Sequence, residues 1–207
     1  MDGEAPKSKR DQRRDAILQT AGEVFLEEGF SAASMSAIAA RLGGSKGTLY
    51  NYFECKEDLL EAFVRDYCQG FWDRVFSFSG GEDVALSELL TNVGEAFLRQ
   101  LDEPVVRFVR LLIGEAQRIP HLTRVFWESG PEAKAMRLAG YLEAAKARGE
   151  FDAPDCRLAA RQFLALVRGA FYFERLLNLN SVADTEAARA DIAASVDLFL
   201  KAYGAGR

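Results

Sequence analysis

The chain has 207 residues, 49% apolar and 28% charged, an ordinary globular usage that argues against a disordered or fibrous protein. A formal net charge of −5 excludes a uniformly basic, histone-like nucleic-acid binder. No apolar run reaches the roughly 18 residues of a bilayer span. Cys55, Cys68 and Cys156 have no C-x-x-C spacing, and His121 is the single histidine, so no metal, disulfide framework or cofactor is expected. Residues 1–14 are polar and charged, without the apolar core of a secretory signal. A reducing, cytoplasmic setting with no membrane partner is the expectation.

Helical periodicity runs through the chain, which is rich in Ala, Leu, Glu and Arg. Pro104, Pro120, Pro131 and Pro154 stand where helical patterns begin, a position that tolerates a missing N–H. The fold class is all-α, with nine or ten helices. The first is expected over Lys9–Glu28, opened by a Ser8/Asp11 capping box, striped by Ile17, Ala21, Val24 and Phe25, and stopped at Gly29. Ser34 caps a short helix over 35–42, Gly43-Gly44 forces a turn, and Ser45 caps a third helix over 46–52. A fourth runs over about 56–78, followed by a break at Ser79-Gly80-Gly81. The rest follow at about 83–102, 104–117, 121–128, 132–148, 155–179 and 185–203, and the first seven residues are expected to be disordered.

Two short helices joined by a glycine turn make a helix-turn-helix. In its second helix Leu49 and Phe53 face inward, leaving Lys46, Thr48, Tyr50, Asn51 and Tyr52 outside. From Gly47 to Tyr52 there are two tyrosines and an asparagine but no acid, an odd solvent face that suits phosphates and base edges. Residues 1–60 carry 8 Lys and Arg against 10 Asp and Glu, but Lys7, Lys9, Arg10, Arg13 and Arg14 cluster in one arm. Local sign outweighs the sum within a Debye length of about 8 Å. The arm reads as a backbone-contacting element or as a solvated tail. Cys55, beside Lys56 at a helix start, reads as an inert small residue or as a redox-sensitive thiol.

Phe25, Gly29-Phe30, Ser34, Ile38-Ala39, Gly44-Ser45-Lys46-Gly47-Thr48-Leu49-Tyr50, Tyr52-Phe53, Lys56 and Leu59 give residues 12–62 a specific resemblance to the DNA-binding domain of the TetR (tetracycline repressor) family. The chain departs from the family pattern at Leu42-Gly43, where Ala-Gly is usual, and at Glu54-Cys55, in the usual Pro/Asn-Ser/Thr slot. The resemblance implies that Ser34 donates to a phosphate. It implies that Ser45, Lys46, Gly47 and Thr48 enter the major groove, with Lys46 and Thr48 nearest the bases. Tyr50 and Tyr52 would then meet phosphate or a thymine methyl, and Lys56 a phosphate. Asn51 shares that surface but varies in the family.

Residues 111–120, with Leu122, Phe126 and Gly130-Pro131, resemble the C-terminal domain of AefR-like members. An aromatic-lined cavity between helices is the default effector site. Its candidates are Phe97, Leu111, Glu115 and Phe126, with Met136, Tyr141, Phe163, Val167 and Phe171, each of which taken singly reads first as core. Glu115 interrupts an apolar stripe, to neutralise a cationic ligand or to pair with an arginine. The broad stripes of the last two helices exceed what one core needs, so Phe163, Leu166, Ala170 and Leu177, with Ile192, Val196, Phe199 and Tyr203, are the expected homodimer interface.

The domains expected are 8–55, a three-helix helix-turn-helix unit, and 56–207, a larger helical domain for effector binding and dimerisation. The expected function is a bacterial, nucleoid-associated transcriptional regulator, most simply a repressor. It would bind a palindromic double-stranded operator as a homodimer and be released by a small hydrophobic or aromatic effector, the fourth helix coupling the two domains. The rivals are a helical adaptor without DNA contact and an enzyme. Against the latter, no Ser/His/Asp set, paired histidines or phosphate-cradling loop is present.

Overall fold

Capping hydroxyls and glycines set the first helix boundaries in the computed structural model, which describes residues 8–77, 84–179 and 185–205. Ser8 Oγ accepts from Asp11 N–H at 3.1 Å and donates to the Asp11 carboxylate at 2.7 Å, opening α1 (Lys9–Glu28). Helix α1 stops at Gly29, whose N–H bonds the Phe25 carbonyl. Helices α2 (Met35–Arg41) and α3 (Lys46–Tyr50) follow, then α4 (Lys56–Ser77), α5 (Leu86–Gln100), α6 (Glu103–Glu115) and α7 (Pro120–Trp127). The last three are α8 (Ala133–Ala147), α9 (Cys156–Leu176) and α10 (Glu186–Tyr203). Lys7, the expected break at Ser79-Gly80-Gly81 and the expected disorder of the first seven residues lie outside the described residues.

Three local expectations are corrected. The chain enters α8 without a break: Glu128–Glu132 forms a π-helical turn with Pro131 inside it, so that proline does not open a helix. Wider i→i+5 geometry leaves room for a residue that cannot donate. Helix α9 is not one regular helix. Gly169, at φ 52° and ψ −169°, breaks it midway, in a conformation that a side chain would resist. The third helix ends at Tyr50, two residues early, because Asn51 and Tyr52 turn back onto Gly47 and Leu49 carbonyls.

The expected boundary between residues 55 and 56 also moves. One compact unit comprises the described residues through Tyr67 together with Leu111–Val125; the other comprises those of Cys68–Arg110 and Phe126–Arg207. Helices α4, α6 and α7 thus contribute residues to both units. The first unit buries Ile17, Leu18, Val24, Phe25, Ile38, Leu49, Leu59 and Leu60. Removing such side chains from water stabilises by about 1.5–3 kcal/mol each.

In the second unit α9 packs against α8 and α10, and α10 against α5. A Cβ on Gly94 of α5 would lie 2.6 Å from Ile192 Cγ2, so a glycine is what lets α5 and α10 approach. Phe151, Phe163 and Phe199 form the centre of this core, with Phe163–Phe199 centroids 5.1 Å apart. An isolated antiparallel bridge, Phe151 to Gly204, ties the end of α10 to the segment before α9.

Candidate nucleic-acid interface

The turn between α2 and α3 is built by three short-range devices. Ser34 Oγ accepts from Ala37 N–H and caps α2, which leaves its own hydroxyl proton free to donate elsewhere. Gly43, at φ 68°, reverses the chain, and Gly44 N–H closes the turn onto the Ala39 carbonyl at 3.0 Å. Ser45 Oγ accepts from Thr48 N–H at 3.2 Å and lies 3.0 Å from Thr48 Oγ1, so the two hydroxyls share one hydrogen bond at the head of α3. Leu49, 0% exposed, and Phe53 pin this short helix to the core.

What those anchors leave outside is polar or cationic. Ser45, Lys46, Gly47, Tyr50 and Asn51 are exposed; Thr48 and Tyr52 are half-buried. The start of α1 supplies the surroundings. Arg10 sits over the Tyr52 ring at 6.0 Å, Arg14 over Phe53 at 5.5 Å, and Lys46 over Tyr50 at 5.7 Å. A Cβ on Gly44 would lie 3.1 Å from Arg13 Nη2, which places that guanidinium against the turn. Among the described residues, Arg10, Arg13, Arg14 and Lys46 have no carboxylate partner. Described from Ser8 on, the basic arm is therefore helical and packed beside α3, not a loose tail.

Two other basic groups of this unit have protein partners. Arg41 donates to Glu27 at 2.6 Å, and this hydrogen bond raises its pKa above the ordinary value. Lys56 Nζ donates to the carbonyls of Phe30 at 2.6 Å and Ala33 at 2.8 Å, and lies 4.2 Å from the Phe30 ring centroid. Lys56 thus clamps the α1–α2 connection to the start of α4, leaving one N–H for anything else. Cys55 Sγ accepts from Asp58 N–H at 3.4 Å, and burial, the larger influence, pushes its thiol pKa up, which favours the inert reading.

The effector candidates do not converge. Leu111 and Glu115 belong to the first unit, where Glu115 Oε2 lies 3.3 Å from Arg118 Nη1, the arginine pair that was the alternative reading. Phe97 joins Phe71, Trp72 and Tyr172, whereas Tyr141 stacks on Phe76 and Phe126 meets Phe108. Phe163 and Val167 are core, and Phe171 borders a recess of about 190 Å³ with Glu174 and Asp191. Met136 is corrected outright: it is 57% exposed. The buried phase of α8 is Lys134, Leu138, Leu142 and Ala145, and Met136 lies off it. That same phase is the signal by which Lys134, absent from the expected site, stands out as an interior residue.

The interface expectation is corrected for four of its eight residues, whereas Leu166 and Tyr203 are half-buried and Ala170 and Leu177 exposed. Phe163, Ile192, Val196 and Phe199 are all buried within the subunit. The exposed apolar residues of these elements are Leu158, Phe173, Leu177 and Leu198, with Ala170 beside them. On α10 the bulky stripe faces in, and the stripe of Ala190, Ala194, Leu198 and Ala202 faces out. Among the described residues no three His, Cys, Asp or Glu side chains are arranged to hold a metal, and no helix is long and apolar enough to cross a membrane.

Known proteins with this arrangement are regulators of one kind. Residues 17–63 match the family model described as bacterial regulatory proteins, tetR family, and residues 88–205 match the AefR-like transcriptional repressor, C-terminal domain. The transcriptional activator FasR of Mycolicibacterium smegmatis is 45% identical over 56 residues, 27% of this chain and 26% of FasR. The match thus spans about a quarter of that relative's length. The crystal structure of a TetR-family regulator from Mesorhizobium loti MAFF303099 superposes with a TM-score of 0.86 at 26% identity, covering 96% of this chain and 100% of that one. The flavonoid-responsive regulator FrrA is 39% identical with a TM-score of 0.77, covering 94% of this chain and 98% of its own. An exposed, acid-free α3 held by two buried hydrophobic anchors, followed by a matching AefR-like helical domain, places the chain in the TetR family of DNA-binding transcriptional regulators.

Proposed function

We propose that the protein is an effector-released repressor that binds a palindromic operator as a homodimer. The observation that carries the DNA side is α3. Lys46, Gly47 and Tyr50 stand outside and Thr48 at the edge, with Arg10, Arg13 and Arg14 around them, and none of these four cations has a carboxylate partner among the described residues. Lys46 and Thr48 reach base edges; Ser34, Tyr50, Tyr52 and the arginines of α1 meet phosphates. One five-residue helix reads few base pairs, so two-fold symmetry and paired half-sites follow. The exposed Leu158, Phe173, Leu177 and Leu198 supply the surface that a second copy covers.

The effector reading is supported by the aromatic content of the second unit and by FrrA, whose name describes it as flavonoid-responsive. Helix α4 carries residues of both units and is assigned the coupling role. An effector that moves the population from 1:99 to 99:1 needs about 5.5 kcal/mol of differential affinity. The test is a mobility-shift titration on the DNA upstream of its own gene at several salt concentrations. Specific binding that weakens with salt is expected, and Arg14→Ala lowers the slope of log K against log salt by about 0.9. Absence of a shift at low salt overturns the reading, and an unchanged slope removes Arg14 from the phosphate contacts.

A further inference from the structure

The second unit pairs most of its guanidinium groups. Arg107, Arg110 and Arg175 face Glu103, Arg157 and Arg161 share Glu132, and Arg137 meets Asp73 at 3.0 Å. Arg74 donates to Gln100 and Lys146 to the Ala153 carbonyl, whereas Lys134 and Arg168 have neither kind of partner among the described residues. Lys134 is 5% exposed, and its Nζ lies 4.0 Å from the Trp72 ring centroid and 5.9 Å from that of Phe97. Among the described residues it has no hydrogen bond and no carboxylate. Arg168, on α9, has no carboxylate there either; it lies 5.9 Å from the Tyr172 ring and repels the Lys134 charge.

The walls around these two groups are flat and apolar. Trp72 and Phe97 are nearly parallel with centroids 6.0 Å apart, Phe71 meets Trp72 edge-on at 4.5 Å, and Tyr172 lies 6.1 Å from Phe97. The Cys68 thiol faces Lys134 but is pushed up to about 12 by burial, so it supplies no negative charge. Burial and Arg168 both push the Lys134 pKa well down, against a weaker pull from Cys68. A buried amine without an acceptor lacks the hydrogen bonds that water would give it, at a cost to the fold. An arriving anion removes that cost, and the aromatic faces take its apolar body.

We propose that Lys134 and Arg168 are the anion anchor of the effector site, which takes a flat aromatic molecule bearing one acidic oxygen, a carboxylate, sulfonate or phenolate. The proposal rests on the reading of the C-terminal unit as the effector domain. Selectivity follows from what mismatched ligands leave behind: a neutral analogue leaves the buried Lys134 amine unpaired, and a cationic one meets the Arg168 charge.

The test uses the full-length protein with Trp127, which is 55% exposed, changed to Phe, so that Trp72 is the sole indole. The probes are 8-anilinonaphthalene-1-sulfonate and its uncharged counterpart N-phenyl-1-naphthylamine, read by energy transfer from Trp72. The sulfonate is expected to bind at least tenfold more tightly than the amine. Lys134→Met should raise the sulfonate Kd at least tenfold and the amine Kd less than twofold. Arg168→Met should act in the same direction, and because Arg168 is half-buried it keeps the test decisive should the lysine variant fold poorly. Equal affinity for both probes, parallel loss of both in the variants, or no transfer from Trp72 overturns the proposal. The two readings fail separately. A specific DNA shift with no charge preference sinks the anchor alone, and a charge preference with no DNA shift sinks the regulator reading.

Discussion

The two units treat positive charge in opposite ways. The first leaves Arg10, Arg13, Arg14 and Lys46 without carboxylate partners on its surface, where water solvates them until a polyanion arrives. The second pairs most of its guanidiniums with carboxylates but buries an unmatched lysine among aromatic rings. An exposed unpaired cation costs little and gives salt-sensitive, long-range attraction. A buried one costs much and gives short-range selectivity for what enters beside it. The contrast separates a surface built to meet a large charged polymer from an interior suited to a small acidic molecule.

The sharpest way to break the comparison concerns which apolar face of α9 and α10 belongs to the subunit. Phe199→Ala empties the centre of the second core and should cost about 3–5 kcal/mol in denaturant unfolding. Leu198→Glu, one position away and 56% exposed, should leave helicity intact and shift sedimentation toward monomer. If Leu198→Glu sediments like the parent, the exposed stripe is not the dimer surface. Both must be measured at one protomer concentration, because dimer formation adds to apparent stability.

That reversal of faces also marks how far the sequence could be read. Ser34, Ser45 and Gly43 fix the helix-turn-helix through contacts three to five residues away, so where its helices start and which face is exposed were legible. Helix α10 carries two apolar stripes, both at helical spacings of three or four, Ala188-Ile192-Val196-Phe199 and Ala190-Ala194-Leu198-Ala202. Which one turns inward is decided by Gly94 of α5, far along the chain, admitting Ile192. Gly169 hides for a related reason. Its break changes the phase of α9, so a single-period stripe drawn from Phe163 to Leu177 mixes buried and exposed residues. Residue type conceals Lys134, since lysine at helical spacing reads as solvated, although its register with Leu138 and Leu142 places it inside.

The next prediction tests whether Lys56 belongs with the free cations or with the framework. Its two hydrogen bonds to the Phe30 and Ala33 carbonyls are charge-assisted, each worth about 1.5–3 kcal/mol when made from a charged group. Lys56→Met should therefore lower unfolding stability by about 2–3 kcal/mol, where a surface phosphate contact would leave it within ~0.5 kcal/mol. DNA affinity should fall through loosening of the α2–α3 unit, with a salt slope changed by less than one counterion. A stable variant with a slope reduced by a full counterion would return Lys56 to the phosphate contacts.

The smallest effect, and the most specific to the second unit, is a pH dependence of stability. The groups facing Lys134 are the Arg168 guanidinium from α9, charged throughout, and the Cys68 thiol from α4, neutral below about 12. Burial holds the folded-state pKa of Lys134 well below its ordinary 10.5, so between those two values the unfolded chain binds more protons than the folded one. Stability must then rise with pH through that window, by at most about 1.4 kcal/mol per pH unit for one proton. Subtracting the Lys134→Met curve cancels the other titrating groups. The variant should be the more stable protein at pH 7, by about 1–3 kcal/mol, and its advantage should shrink steadily toward pH 9. A constant difference across that range would mean that Lys134 keeps its proton in the fold, held by the Trp72 face, and that the buried site is already a cation before any anion reaches it.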